Sequence, residues 1–303
     1  MMKEIIVNKL ATRTWNRLGV NEARLSWDEN EKILPDTLIE AKPSECPAPI
    51  KVEVLGDGEF SAKTIKVDAA ENSTLTVFEI VKANDNLFTK LEARLGRGAR
   101  LRVVQLLNSN GVIRHEISAD LDADSEFELL SIIVGDGDCY ADNKIELSGD
   151  KSSFDADFGY LGKASQTIDM NLTVNQYGKD TKSKITASGA LLGSAKKIFR
   201  GTIDFKKGSS GSTGSENENV LLLGDDITNK TVPIILCAEE NVDGSHGATI
   251  GELDEQTLFY FESRGIDKAE AERVMSRAVI ERPARLSGDA EFEEAVLSLL
   301  GEE

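Results

Sequence analysis

Apolar residues standing just before polar turns recur through the middle of this chain at Val67, Leu95, Leu121, Leu147, Val174 and Ile203, spaced 28, 26, 26, 27 and 29 residues apart. Each unit reads strand, turn, strand. Lys90-Leu-Glu-Ala-Arg-Leu95 precedes Gly96-Arg-Gly98, Glu116-Ile-Ser-Ala-Asp-Leu121 precedes Asp122-Ala-Asp124, and Lys144-Ile-Glu-Leu147 precedes Ser148-Gly-Asp150, with alternate residues apolar. A repeat this short has no helix to cover a sheet face, so each unit must bury its inward residues on its neighbours. Propeller blades need about 40–50 residues per repeat, and sandwiches keep no fixed period. The fold class expected is therefore all-β dominated, a parallel β-helix, right-handed by the rule for parallel crossovers.

The flanks read differently. Residues 1–50 form an N-terminal arm, helical or irregular, with Ile6, Leu10, Trp15 and Leu18 at loose helical spacing and Gly19 as a C-cap. Four of the six prolines, Pro35, Pro43, Pro47 and Pro49, mark a connector, which puts the β-helix core at residues 51–250. From 251 to 303 helical spacing returns. Asp254, Asp267 and Asp289 stand as N-caps, with a break expected at Pro283, and the helices are read as an appendage at the end of the solenoid.

Bulk properties narrow the function. A net charge of −18 opposes any nucleic-acid partner, and no apolar run approaches the roughly 18 residues of a membrane span. The first ten residues lack the apolar stretch of a signal peptide, so a cytoplasmic location is expected. Cys46, Cys139 and Cys237 are odd in number and widely separated, hence free thiols, with Cys46 and Cys139 read as small buried hydrophobes.

Catalytic signatures are absent. Gly224-Asp-Asp-Ile-Thr-Asn-Lys230-Thr231 nearly matches a phosphate-binding loop, but Asn229 replaces its second glycine and Val232-Pro-Ile-Ile235 continues as strand, not helix. There is no G-x-S-x-G elbow, and His115 shares parity with Ile113, Ile117 and Leu121, as an inward-facing or edge histidine would. A carbohydrate-active β-helix remains an alternative. It has carboxylates to draw on but few aromatic residues in the solenoid for stacking sugars.

The segment Ser245-His246-Gly-Ala-Thr249, followed by an acidic helix start, Leu258-Phe-Tyr260 and Ser263-Arg-Gly-Ile266, closely resembles the SufD signature of the SufB/SufD family. Lys197-Ile-Phe-Arg-Gly-Thr-Ile203, Asn219-Val-Leu-Leu-Leu223 and Thr14-Trp15-Asn-Arg-Leu-Gly-Val-Asn21 resemble further family segments. The resemblance implies a β-helix with terminal helices and a non-enzymatic scaffold subunit of the SUF machinery for iron–sulfur cluster assembly. It also implies a SufC-type ABC ATPase as partner, together with another SufB/SufD-type subunit or a second copy as homodimer.

Its cargo would be a transient iron–sulfur cluster, possible metal ligands being His246, Cys237 and Glu218. Clusters are usually held by four thiolates, which three cysteines cannot supply, so ligation would be mixed or shared at a subunit interface. Glu218 aligns with the SufB cysteine, and Gly244 stands where many SufD chains have Cys. The ATPase contact is expected on Leu258, Phe259, Tyr260, Phe261 and Arg264. A structural partner without cluster ligands is the second reading.

Overall fold

The computed structural model describes residues 2–28, 31–56 and 60–301. Its strands in chain order are β1 (Met2–Val7), β2 (Ala23–Asp28), β3 (Lys32–Ile33), β4 (Thr37–Ala41), β5 (Ile50–Leu55), β6 (Phe60–Ala69), β7 (Thr74–Ala83), β8 (Asn86–Leu95) and β9 (Arg100–Ser109). They continue as β10 (Val112–Leu121), β11 (Glu126–Gly135), β12 (Asp138–Leu147), β13 (Ser153–Gly162), β14 (Thr167–Gln176), β15 (Lys182–Leu192), β16 (Lys196–Phe205), β17 (Thr213–Leu223), β18 (Thr228–Cys237) and β19 (Asp243–Gly251). The helices are α1 (Glu255–Glu262), α2 (Lys268–Leu286) and α3 (Ala290–Ser298).

From β5 onward the chain is a parallel β-helix with two strands per coil. Odd strands stack in one 8-stranded sheet, β5 to β19, and even strands in a facing sheet that ends at β18. One apolar core fills the space between them. The repeat positions Val67, Leu95, Leu121, Leu147, Val174 and Ile203 all point inward and are buried. Leu95, Leu121 and Leu147 pair in direct register, whereas Val67 pairs with Ala93 and Val174 with Ile145, two residues from the expected partner. A slip of two residues preserves the face, which is why the alternation survives coils of unequal length.

The turns carry their own ladder. Ser44, Asn72, Gly98, Asp124, Lys151, Asp180 and Gly211 all adopt positive φ, and each N–H donates to a carbonyl of the next coil. Gly, Asn and Asp pay least for that conformation, hence their recurrence before the odd strands.

The flanks depart from expectation. Where helical spacing suggested an arm, β1 and β2 pair antiparallel, with a single 3-10 turn at Asn16–Leu18 capped by Gly19 in the left-handed region. Val7 and Leu25 pack on Tyr140, so this hairpin lies on the outer face of the even sheet. Strands β3 and β4, on either side of Pro35, pair with β6 and lend a partial first rung ahead of Pro43, Pro47 and Pro49.

Helices α2 and α3 do not sit at the solenoid's end. Asp254, Asp267 and Asp289 cap them as expected, each accepting a backbone N–H. However, α2 and α3 fold back across the outer face of the odd sheet. There Ile280, Ala284, Phe292 and Val296 join Val104, Leu106, Leu130 and Ile132 in a second core. Those odd strands are apolar on both faces because both are covered. Pro283 lies inside α2, which runs on to Leu286. Its buried ring packs over Gly159, where a Cβ would stand 2.6 Å from its Cγ. This docking offsets the helix hydrogen bond that proline forfeits. Arg102 donates to the carbonyls of Leu286 and Ser287 at the end of α2. Among the described residues no helix is long and apolar enough to cross a membrane. Cys139 is buried, but Cys46 is exposed in the turn between prolines, contrary to its expected burial.

Candidate functional site

Among the described residues no coil stacks on the last one, β18 and β19. Its sequence is unsuited to that exposure. Val232, Ile234 and Leu236 alternate with Pro233 and Ile235, so β18 is apolar on both faces, and every residue from Thr228 to Leu236 is only half-buried. A strand of this composition belongs in a sheet with both faces covered, and an edge of this kind invites another chain.

Parity fixes what the open end displays. Cys237 pairs with inward Phe205, and His246 with inward Glu216, so both occupy inward positions of a coil with no lid. Both are exposed. A Cβ on Gly244 would meet Ile235, which makes these two positions face each other. Cys237 and His246 lie two residues from that pair in opposite directions, so they stand about 13 Å apart along the strand axis. They do not converge. Among the described residues no group of three His, Cys, Asp or Glu side chains could hold a metal ion.

Glu218 lies one layer below, fully buried. It accepts hydrogen bonds from the Tyr160 hydroxyl (2.9 Å), the Lys197 ammonium (2.6 Å) and the Thr231 hydroxyl (2.5 Å). Its carboxylate is committed to this core network and does not open onto the surface. Glycines make the room: a Cβ on Gly189 would strike the Tyr160 ring at 1.8 Å, and one on Gly201 would strike Glu216 at 2.0 Å. Burial and the neighbouring Glu218 push the Glu216 carboxyl up to about 7, while burial draws the Lys197 ammonium down against the pull of Glu218. Residue-by-residue reading missed this cluster. Period-2 alternation from Phe199 and Ile203 puts Lys197 inward, and that was the available signal.

The helical residues are split. Phe259 and Tyr260 are exposed, Leu258 and Phe261 half-buried, and the Arg264 guanidinium stacks 3.6 Å from the Tyr260 ring centroid.

A second buried polar cluster lies deep in the solenoid. The Gln105 amide bridges Glu79 (2.7 Å) and His115 Nε2 (2.7 Å), Thr89 meets His115 Nδ1, and Ser131 donates to Gln105. Burial pushes Glu79 up to about 7 and His115 down to about 3. Folded Glu79 keeps a proton that the unfolded chain loses near 4.5, so its contribution to stability falls as pH rises from there to about 7. Relative to wild type, Glu79→Gln should therefore gain stability across that window, by at most about 3 kcal/mol, and hold the gain above it. Urea denaturation of both proteins at several pH values measures the difference, and a pH-independent difference contradicts it.

With this geometry in view, the comparisons are specific. The family model described as SUF system FeS cluster assembly, SufBD core domain, matches residues 53–279. The iron-sulfur cluster assembly protein SufD of Bacillus subtilis is 32% identical over 152 residues, 50% of this chain and 35% of that protein. SufD of Escherichia coli is 23% identical over 242 residues, covering 78% and 57%. A chloroplastic SufBD family protein of Arabidopsis thaliana is 24% identical over 249 residues, covering 76% and 44%. The chain thus spans between 35% and 57% of the length of these relatives.

Proposed function

This chain belongs to the SufBD family of the SUF iron–sulfur cluster assembly system, and from that premise we propose that it is a non-enzymatic scaffold subunit whose open end is a joint with a second subunit. The observation that carries this is β18, apolar on both faces yet unpaired along one edge. A second family subunit, or a second copy, covers it and places its own side chains over Cys237 and His246.

The iron–sulfur cluster is cargo at that joint. One chain supplies His246 at the middle of the open end and Cys237 towards its rim, and a full ligand set needs the partner. Glu218 supports from below by holding Lys197 under the site. Partial, shared ligation suits release to a client. The exposed Phe259 and Tyr260, with Arg264 stacked beside them, give an aromatic surface of the kind favoured at interface centres. A SufC-type ABC ATPase docks there.

Anaerobic reconstitution with ferrous iron and sulfide, read by visible absorption per chain, tests the cargo site. His246→Ala should lower the affinity for cluster by about tenfold or more. Wild-type loading in both His246→Ala and Cys237→Ser would place the ligands elsewhere, whereas a wild-type chain that takes up no cluster would be the structural partner without ligands, a reading favoured by the separation of the two residues. In the same preparations, Phe259→Ala with Tyr260→Ala should weaken retention of the ATPase about thirtyfold. Unchanged retention places its docking elsewhere.

A further inference from the structure

Resting on the reading of the open end as a joint, we propose that the loop of residues 14–21 is a second anchor of that joint, gripping a second copy of this chain through Trp15. Trp15 is 79% exposed and Leu18 50%, two large apolar side chains on one short loop. This is no frayed tail. The buried Asn21 side chain accepts from the Thr14 N–H (2.7 Å) and donates to the Thr14 carbonyl and to Asn16, while Gly19 closes the 3-10 turn. An aromatic side chain held this way loses little conformational freedom on binding, which is what makes rigid aromatic residues effective anchors.

The loop is also placed. Asn8 donates to Asp169 on β14, Arg200 on β16 donates to the Val20 carbonyl, and Lys230 on β18 donates to the Leu18 carbonyl (2.8 Å). Successive contacts climb one strand at a time, so the loop's tip reaches the level of the unpaired edge. Val232 and Ile234 share the outward parity of Lys230 on that edge strand, and Val232 pairs with Arg200.

Charge argues for a second copy as occupant. In a chain of net charge −18 this corner is basic on balance, with Arg17 and Lys230 beside the loop and Arg13 and Arg24 sharing the single carboxylate of Glu22. The other strand of the same coil is bordered by Glu239, Glu240, Glu252 and Asp254. A copy turned about a two-fold axis sets the basic rim of each chain against the acidic rim of the other, as an isologous contact requires.

Sedimentation of the full chain over a concentration series tests this, with three variants. Trp15→Ala should raise the dimer Kd about thirtyfold or more while circular dichroism stays unchanged, since the side chain is exposed. Arg17→Glu should raise it further at low salt than at high salt. Ile235→Asp, in the core of the edge strand, reports the joint itself. A dimer as tight in Trp15→Ala as in wild type, with Ile235→Asp monomeric, overturns the anchor and leaves the joint standing. A wild-type chain monomeric at every concentration overturns the anchor, whose occupant is a second copy, and leaves the joint only to a different family subunit.

Discussion

Lys197→Met is expected to cost about 3–5 kcal/mol of folding stability, the range for removing one partner of a buried ion pair. Lys197 and Glu218 are both wholly buried and meet at 2.6 Å, with Glu216 adjacent. Methionine fills the space but leaves two carboxyl groups facing each other without a cation. Because the loss arises from the uncompensated charge and not from the cavity, adding Glu218→Gln should recover most of it. Two buried partners replaced together by neutral residues of similar shape are often near neutral. Urea denaturation of wild type, single and double variants decides the matter. A double variant no better than the single would mean that packing, not charge, is what Lys197 supplies.

Arg200→Met should cost a similar amount, about 3–5 kcal/mol, but with a local signature. Arg200 lies on the outer face of the even sheet, paired through both terminal nitrogens with Asp169, while its Nε donates to the Val20 carbonyl (2.5 Å). Without it, Asp169 keeps Asn8 alone as a side-chain partner among the described residues, and residues 8–21 lose their central attachment. Trypsin should then cleave at Arg13 and Arg17 well before the solenoid opens, and amide exchange should rise there first. Arg200→Lys should not rescue, since an ammonium cannot make the paired contact and the third bond together. Unchanged cleavage in Arg200→Met would show that the hairpin's apolar contacts hold the strap without it.

Several features were legible in the chain from local chemistry alone. Period-2 alternation with polar turns every 26–29 residues is enough to specify stacked coils, because a slip of two residues keeps every inward side chain inward. The caps at Asp254, Asp267 and Asp289 depend on atoms three residues away, so they too could be read directly. His246 stood out only through a resemblance, but its parity with Glu216 then followed from the coil.

What the tertiary structure alone decided involves partners far apart in sequence. That α2 folds back over β11, β13 and β15 depends on which sheet face remains apolar, and a local pattern could not say that the helix would carry Pro283 across Gly159 instead of stopping there. The Glu218 carboxylate had the composition of a metal ligand, yet Lys197, 21 residues earlier, claims it because β16 and β17 are the two facing strands of one coil and the turn between them sets the two side chains opposite each other. Helical spacing at Ile6 to Leu18 gave way to a hairpin because Asp169 and Arg200 fix its ends from 161 and 180 residues away. Local periodicity determines which way each side chain points; which other side chain it meets depends on the lengths of every turn and coil between them.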